Sequence, residues 1–378
     1  MKIVLAPNAF KGSMSASAAA QAMREGVLKA LPSATVVLVP VADGGDGLVD
    51  VFLNALNGVE EREIVSGPLW EKTTASFCYV PARKMAAIEM AVASGLALLP
   101  PEKRDPTLTT TYGTGELIAK ALRLGARRIT IGIGGSATTD GGIGVAAALG
   151  VRFLDSAGKE IQPIGGNMQR IVDIDMEGLM HEAKEAIFDV ACDVDNPLLG
   201  ETGAARVYGP QKGAAAQQVK DLEFGLANLA EVIEKKLGVD VRDIPGAGAA
   251  GGLGAGLMAF LGAKLRKGID LVFQAVALED QMSGADLVIT AEGQIDFQTK
   301  FGKAPAGVAA LAKKHAVTCV AIAGGIGEGV EELHACGITA VFSLCPAPVC
   351  LGNAMENGEL YLRNVTEQII RLFAREET

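Results

Sequence analysis

Several stretches of this 378-residue chain join turn-forming residues to side chains that handle protons, anions or cations. Near the start stands Pro7-Asn8-Ala9-Phe10-Lys11-Gly12-Ser13, followed by Asp43-Gly44-Gly45-Asp46-Gly47. Further on come Gly132-Ile133-Gly134-Gly135-Ser136-Ala137-Thr138-Thr139-Asp140-Gly141-Gly142 and Asp193-Val194-Asp195-Asn196-Pro197. Gly209-Pro210-Gln211-Lys212-Gly213 follows, then Glu292-Gly293-Gln294-Ile295-Asp296 with Lys303 shortly after. Together these residue types suit phosphoryl transfer. Glycine lets backbone N–H groups approach phosphate oxygens, and helix N-termini favour anions. One or two carboxylates hold Mg²⁺, a lysine offsets charge on the transferred group, and an Asp can take the acceptor hydroxyl's proton.

Each signal has a plainer reading beside it. A single Gly–Asp turn is an ordinary α/β loop, and only the repetition across loops points to a site. The run from Gly132 to Gly142 is dense enough to be specific, an anion cradle ahead of a helix starting near Ile143. Asp193 and Asp195, two apart on an extended chain, fit a shared metal or an acid/base pair, or simply cap a turn before Pro197. Thr109–Glu116 reads as a capped helix start or a ligand contact, and Lys212 as a phosphate contact or a solvated loop lysine. Two motifs fail their context. Gly246-x-Gly248-x-x-Gly251 matches the dinucleotide fingerprint but lacks a strand before it and an acidic residue after it, so it is read as helix-packing glycine. Gly302-Lys303 is followed by Ala304, so no Walker A sequence is present.

The elements that must position these loops alternate strand and helix. The head reads as a strand at 2–6, a helix at 15–30 capped by Ser13 or Ser15, a strand at 34–40 and a helix at 46–56. The tail repeats the pattern: strands at 286–290, 317–323 and 338–342, with helices at 303–314, 329–336 and 365–374. Such alternation implies parallel strands with right-handed crossovers. The expected fold is therefore α/β and two-domain. A flavodoxin-like, doubly wound parallel sheet is built from both chain ends (1–60 with 284–378), and 61–283 is an inserted mixed α/β domain. Within the insertion, 62–65, 73–79 and 86–89 alternate like an antiparallel meander, 128–133 and 186–192 read as strands, and 219–236 as a long amphipathic helix. Ligands of open parallel sheets bind at the carboxyl ends of the strands, where these loops fall.

Composition narrows the partners. Lys+Arg 34 against Asp+Glu 44 leaves a net charge of −10, which disfavours nucleic acid, and the densest basic group (Lys264, Arg266, Lys267) reads as a solvated face. Six cysteines without a C-x-x-C pair read as reduced residues of a cytoplasmic protein, and three histidines lack metal spacing. The first residues are strand-like rather than a signal peptide. Residues 244–263 carry no charge but are so rich in glycine and alanine that a buried helix, not a membrane span, is expected. Glycine itself is in excess, 47 of 378 residues against a usual ~7%.

The loop series resembles the bacterial glycerate kinase family, type I. The resemblance rests on Asn8–Ser13 with Met14-Ser15-Ala16, Val41–Gly47, Thr110–Glu116, Ile133–Gly142, Cys192–Leu199, Gly209–Gly213 and Glu292–Lys303, in consistent order from about residue 1 to 375. It implies ATP-dependent phosphorylation of D-glycerate with Mg²⁺, by a flavodoxin-like domain and a second one likened to restriction endonucleases, with the active site between them. It implies 2-phosphoglycerate and ADP as products, in glyoxylate/glycolate or sugar-diacid breakdown, with 3-phosphoglycerate the alternative. The chain departs from the family pattern at Asn8-Ala9 (usually Asp-Ser), Asp46 (Glu), Leu48 (Thr) and Ala291 (Gly).

From the residue types in these loops, rather than from the resemblance itself, the expected catalytic residues are Lys11, Asp193, Asp195 and Asp296. Substrate and phosphate contacts are expected from Asn8, Ser13, Gly44, Gly45, Gly134, Gly135, Ser136, Thr138, Lys212, Glu292 and Lys303. Asp43, Asp193 and Asp195 are the Mg²⁺ candidates. The expected partners are D-glycerate and ATP, with no nucleic acid or membrane, in a monomer or homodimer. Two rival readings are a Rossmann oxidoreductase on the Gly246 match and a non-catalytic hydroxyacid-binding regulator.

Overall fold

Short β-branched runs separated by stretches of helical periodicity define the strands of the protein. A computed structural model describes residues 1–44 and 47–374. In chain order its strands are β1 (Lys2–Pro7), β2 (Thr35–Leu38), β3 (Val59–Ser66), β4 (Lys72–Val80), β5 (Met85–Glu89), β6 (Arg128–Gly132), β7 (Arg152–Leu154), β8 (Asp173–Asp175), β9 (Ile187–Ala191), β10 (Lys264–Arg266), β11 (Leu287–Ile295), β12 (Thr318–Ile326) and β13 (Ile338–Ser343). The chain divides into two compact units, one of residues 1–57 and 269–378, the other of residues 58–268.

The first unit carries a five-stranded sheet in the order β13-β12-β11-β1-β2, parallel throughout. That is the flavodoxin-like order, assembled from two head strands and three tail strands. Ile3 to Ala6 of β1 are fully buried, as a central strand covered on both faces requires. Met23, Val27, Leu362, Ile369 and Ile370 pack over Ile3, Leu5, Leu287 and Ile289. Helices Ala16–Ala30 and Gly358–Phe373 lie so close that a Cβ at Gly26 would stand 2.3 Å from the carbonyl oxygen of Arg363. Of the two expected caps, Ser15 serves: it accepts from the N–H of Ala18 at 3.1 Å. Residues 269–275 pack with this unit, since Ile269 and Phe273 meet Gly307 of helix Ala304–Lys314. The second unit accordingly ends at Gly268.

The second unit carries a six-stranded sheet in the order β10-β9-β6-β5-β4-β3. β3, β4 and β5 form the antiparallel meander, while β5-β6, β6-β9 and β9-β10 pair in parallel. β7 and β8 form a separate antiparallel pair. The basic group at 264–267 supplies edge strand β10, and Arg266 lies 3.7 Å from the buried carboxylate of Asp189. The uncharged stretch at 244–263 holds helix Ala249–Leu261, broken where Ala250, Gly251 and Gly252 adopt φ of +53°, +70° and +89°. Among the described residues no helix is long and apolar enough to cross a membrane.

Candidate active site

Charged side chains of the first unit gather at the carboxyl ends of β1 and β11. Asn8 directly follows β1; its N–H donates to the carbonyl of Ala291 at 2.8 Å, and its Nδ2 donates to Asp43 Oδ2 at 3.2 Å. Asp43 Oδ1 accepts from the N–H of Ala304 at 2.7 Å, so it also caps the positive end of helix Ala304–Lys314. Glu292 lies near the end of β11, and its Oε2 is buried with no hydrogen-bond partner. Burial, then the charge of Asp43, pushes the Glu292 carboxyl up to about 7; Lys303 and Lys11 pull it down, while Asp296 adds to the rise. The charges of Asp43, Lys303, Asp296 and Lys11 thus all reach the Glu292 carboxyl.

The remaining expected residues of this unit hold varied positions. Asp296 accepts from the N–H of Gln298 at 2.9 Å and starts the turn Phe297–Phe301. Lys303 immediately precedes helix Ala304–Lys314. Lys11 is exposed. Ser13 donates its hydroxyl to the carbonyl of Met355 at 2.7 Å. Gly44 is buried with φ of +95°, a conformation that glycine adopts without strain. Gly45 and Asp46 lie outside the described residues.

In the second unit β6 runs into the glycine–hydroxyl segment. Gly134 and Gly135 are exposed, whereas Ser136 and Thr138 are buried. Lys212, in the turn Pro210–Lys212, is only 2% exposed. Its Nζ donates to Ser136 Oγ at 2.7 Å and to the Thr138 carbonyl at 2.6 Å. Burial lowers its ammonium pKa to about 7, opposed by the charge of Asp140. The segment's shape depends on Asp140, fully buried, which accepts from Thr111 N–H (2.7 Å), Thr111 Oγ1 (2.8 Å), Gly142 N–H (3.1 Å) and Gly144 N–H (3.3 Å). Thr111 thus spends its hydroxyl on Asp140 and does not cap helix Tyr112–Arg123. Gly251 and Gly256 brace the other side: a Cβ on either would stand 2.1 Å from the Thr138 carbonyl or 2.4 Å from that of Gly141. Gly248 would meet the Pro197 carbonyl at 2.1 Å, so Gly248 and Gly251 are packed directly on neighbouring backbone, as the packing reading of this match expects.

Asp193 and Asp195 follow β9, both exposed, and Asp193 Oδ1 accepts from the N–H of Gly268 at 3.0 Å. Their charges, after burial, raise the pKa of the Cys192 thiol. The three magnesium candidates thus divide between the units, Asp43 in one and the Asp193/Asp195 pair in the other. Among the described residues no group of three or more His, Cys, Asp or Glu is placed to hold a metal ion. Sequence reading overlooked Asp140 as the hub of the loop. Part of its signal was available: a carboxylate in a glycine run just ahead of a helix start has free N–H groups of that first turn to accept from, whereas its bond to Thr111 was not legible.

Parallel strands with charged loops at their carboxyl ends, and a glycine–hydroxyl loop held by a buried lysine, define a two-unit α/β enzyme for small anionic substrates. The profile of the glycerate kinase family matches residues 3–374. A glycerate 2-kinase of Escherichia coli strain K12 is 52% identical over 344 residues, covering 91% of this chain and 90% of its own length. A glycerate kinase of Halalkalibacterium halodurans is 48% identical over 367 residues, 97% of each chain. A crystal structure described as a putative glycerate kinase 2 from Salmonella typhimurium LT2 superposes with a TM-score of 0.92 at 43% identity, covering 100% of this chain and 99% of that one. The chain belongs to the glycerate kinase family, and it is a kinase.

Proposed function

We propose that this kinase transfers the γ-phosphoryl group of ATP to the 2-hydroxyl of D-glycerate, giving 2-phosphoglycerate and ADP. The name of the E. coli relative supports the 2-position. The observation that carries the chemistry is the buried, partnerless Glu292 Oε2 beside Asp43, Asp296, Lys11 and Lys303. A carboxylate oxygen with no donor of its own is ready to accept a proton, and Glu292 is assigned to take it from the attacking hydroxyl. Lys11 and Lys303 offset the negative charge of the glycerate carboxylate and of the transferred phosphoryl group. Asp296, held at the head of its turn by the N–H of Gln298, would add a carboxylate to this group.

Magnesium fits this residue set. Mg²⁺ ordinarily takes one or two protein carboxylates and completes its shell with phosphates and water, so a cluster of three is not required. Asp43 would hold it in the first unit, each oxygen already oriented by one donor and retaining a free lone pair. Asp193 with Asp195 is the corresponding pair in the second unit. The ion would neutralise charge on the β- and γ-phosphates. The second unit offers the exposed Gly134-Gly135 backbone and Ser136 to an anionic group, with Thr138 and Lys212 behind them.

The test is ADP release in a coupled assay with D-glycerate and Mg·ATP, followed by phosphorus NMR of the product. Turnover with a 2-phosphoryl product supports the proposal. A 3-phosphoryl product overturns the regiochemistry, and silence across small hydroxyacids overturns the substrate. The proposed setting is the cytoplasm, as a monomer or homodimer, in breakdown of glycolate, glyoxylate or sugar diacids.

A further inference from the structure

Lysines that meet phosphate directly keep the ammonium group within reach of the ligand. Lys212 is 2% exposed, and two of its three donors are committed inward, to Ser136 Oγ at 2.7 Å and the Thr138 carbonyl at 2.6 Å. An ammonium group donates only. Ser136 Oγ is therefore an acceptor toward Lys212, and its own O–H must point elsewhere. The backbone just ahead of Ser136 is the exposed pair Gly134-Gly135, with Gly135 at φ of +70°. The Thr138 carbonyl, drawn toward Lys212, cannot face the same ligand.

We propose that Lys212 is a positioning residue for the anionic group of a substrate: without touching it, Lys212 turns the Ser136 hydroxyl outward as a donor to a carboxylate or phosphate oxygen seated at Gly134–Ser136. This rests on the reading that the 134–138 loop meets an anion. Protonation sets the orientation. Charged Lys212 leaves the Ser136 proton for the ligand; neutral Lys212 accepts that proton into an inward hydrogen bond and removes the donor. Burial keeps the lysine easy to discharge, and Asp140 is the charged group whose field reaches it. The nearby Arg104 turns its Nε to the Leu99 carbonyl at 3.2 Å. An arriving anion favours the charged form, so anion binding takes up a proton at Lys212 and weakens as pH rises past about 7.

The experiment measures KM for D-glycerate and for ATP from pH 6 to 9 in the wild type, Ser136→Ala, Lys212→Met and the double variant. In the wild type, KM for one of the two substrates rises roughly fivefold or more between pH 6.5 and 8.5 while kcat changes less. Ser136→Ala raises that KM at pH 6.5 and abolishes the slope, and Lys212→Met adds nothing to it in the double variant. If Ser136→Ala raises KM but keeps the wild-type slope, the positioning role is wrong while the loop's contact with substrate stands. If Ser136→Ala leaves both KM values unchanged at every pH, the contact itself is wrong and the role falls with it. Should Lys212→Met fail to fold, the comparison of wild type with Ser136→Ala alone decides.

Discussion

Asp43 Oδ1 accepts a hydrogen bond from the backbone N–H of Ala304 at 2.7 Å, joining a loop of the chain's head to the first turn of a helix in its tail. The same carboxylate takes Asn8 Nδ2 on its other oxygen. Asp43→Ala is expected to cost about 1 kcal/mol of stability through the lost cap. Asp43→Asn keeps an acceptor oxygen but loses the charge. It should melt within a degree or two of the wild type yet lose roughly a hundredfold in kcat/KM and need more magnesium for half-maximal rate. Thermal melts and a magnesium titration at fixed ATP check this, and full activity in Asp43→Asn would remove Asp43 from the metal site.

Glu292→Gln separates stability from catalysis. The Glu292 carboxyl is raised to about 7 in the folded protein from an ordinary value of 4.5, so the folded state holds its proton more tightly than the unfolded chain does. Its stability contribution is neutral below about pH 4.5 and becomes a cost as pH rises toward 7, complete above that. Without magnesium or nucleotide, the variant should be more stable than the wild type by roughly 1–3 kcal/mol at pH 8, with the difference gone at pH 4. Its turnover should fall about a hundredfold or more. Urea denaturation at the two pH values reads the first effect; a wild-type rate in the variant would disprove the proton-accepting role.

Asp195→Asn is expected to lower turnover by roughly a hundredfold while leaving the fold intact, because the side chain is exposed after β9 and supports no described packing. Steady-state kinetics beside a circular dichroism melt distinguish this from a folding defect. Wild-type kinetics would confine the second unit's acidic pair to Asp193.

Gly251 and Gly200 make a matched test of close packing. Both have positive φ, +70° and +91°, but a Cβ on Gly251 would stand 2.1 Å from the Thr138 carbonyl whereas Gly200 has nothing within 4 Å. Gly200→Ala should cost only the left-handed penalty of about 1–2 kcal/mol. Gly251→Ala adds a backbone clash, and a total of roughly 3–5 kcal/mol is expected, with activity lost through displacement of Thr138. Equal melting temperatures for the two would refute the packing argument.

The five-stranded sheet was legible because its elements announce themselves locally. β1 is a near-continuous apolar run, and β11 and β12 open with one before continuing through Glu292-Gly293-Gln294 and Gly324-Gly325, which the sequence presents as loops. The meander was legible through its alternation. Several of the shortest elements escaped, as with β7, β8, β10 and helix Ala204–Tyr208. Such segments have too few residues to show a period, and their pairing partners alone hold them in place. The stretch at 329–336 looked helical but settles as the short 3₁₀ turn Val330–His334.

The candidate site divides along the same physical line. Which loops carry glycine, hydroxyls, carboxylates and lysines is written in the residues themselves, and so was the phosphoryl-transfer chemistry they suit. Burial and long-range hydrogen bonding are not written there. Lys212 in sequence is a loop lysine with an even chance of being solvated; only packing puts it beneath Ser136, 76 positions away. Asp140 in sequence is one more loop acid, and only the fold surrounds it with the N–H groups of Thr111, Gly142 and Gly144. Local pattern determined the elements and the chemical inventory of this protein. The tertiary structure alone decided which charges lose their water, because desolvation depends on neighbours that the chain brings from far away.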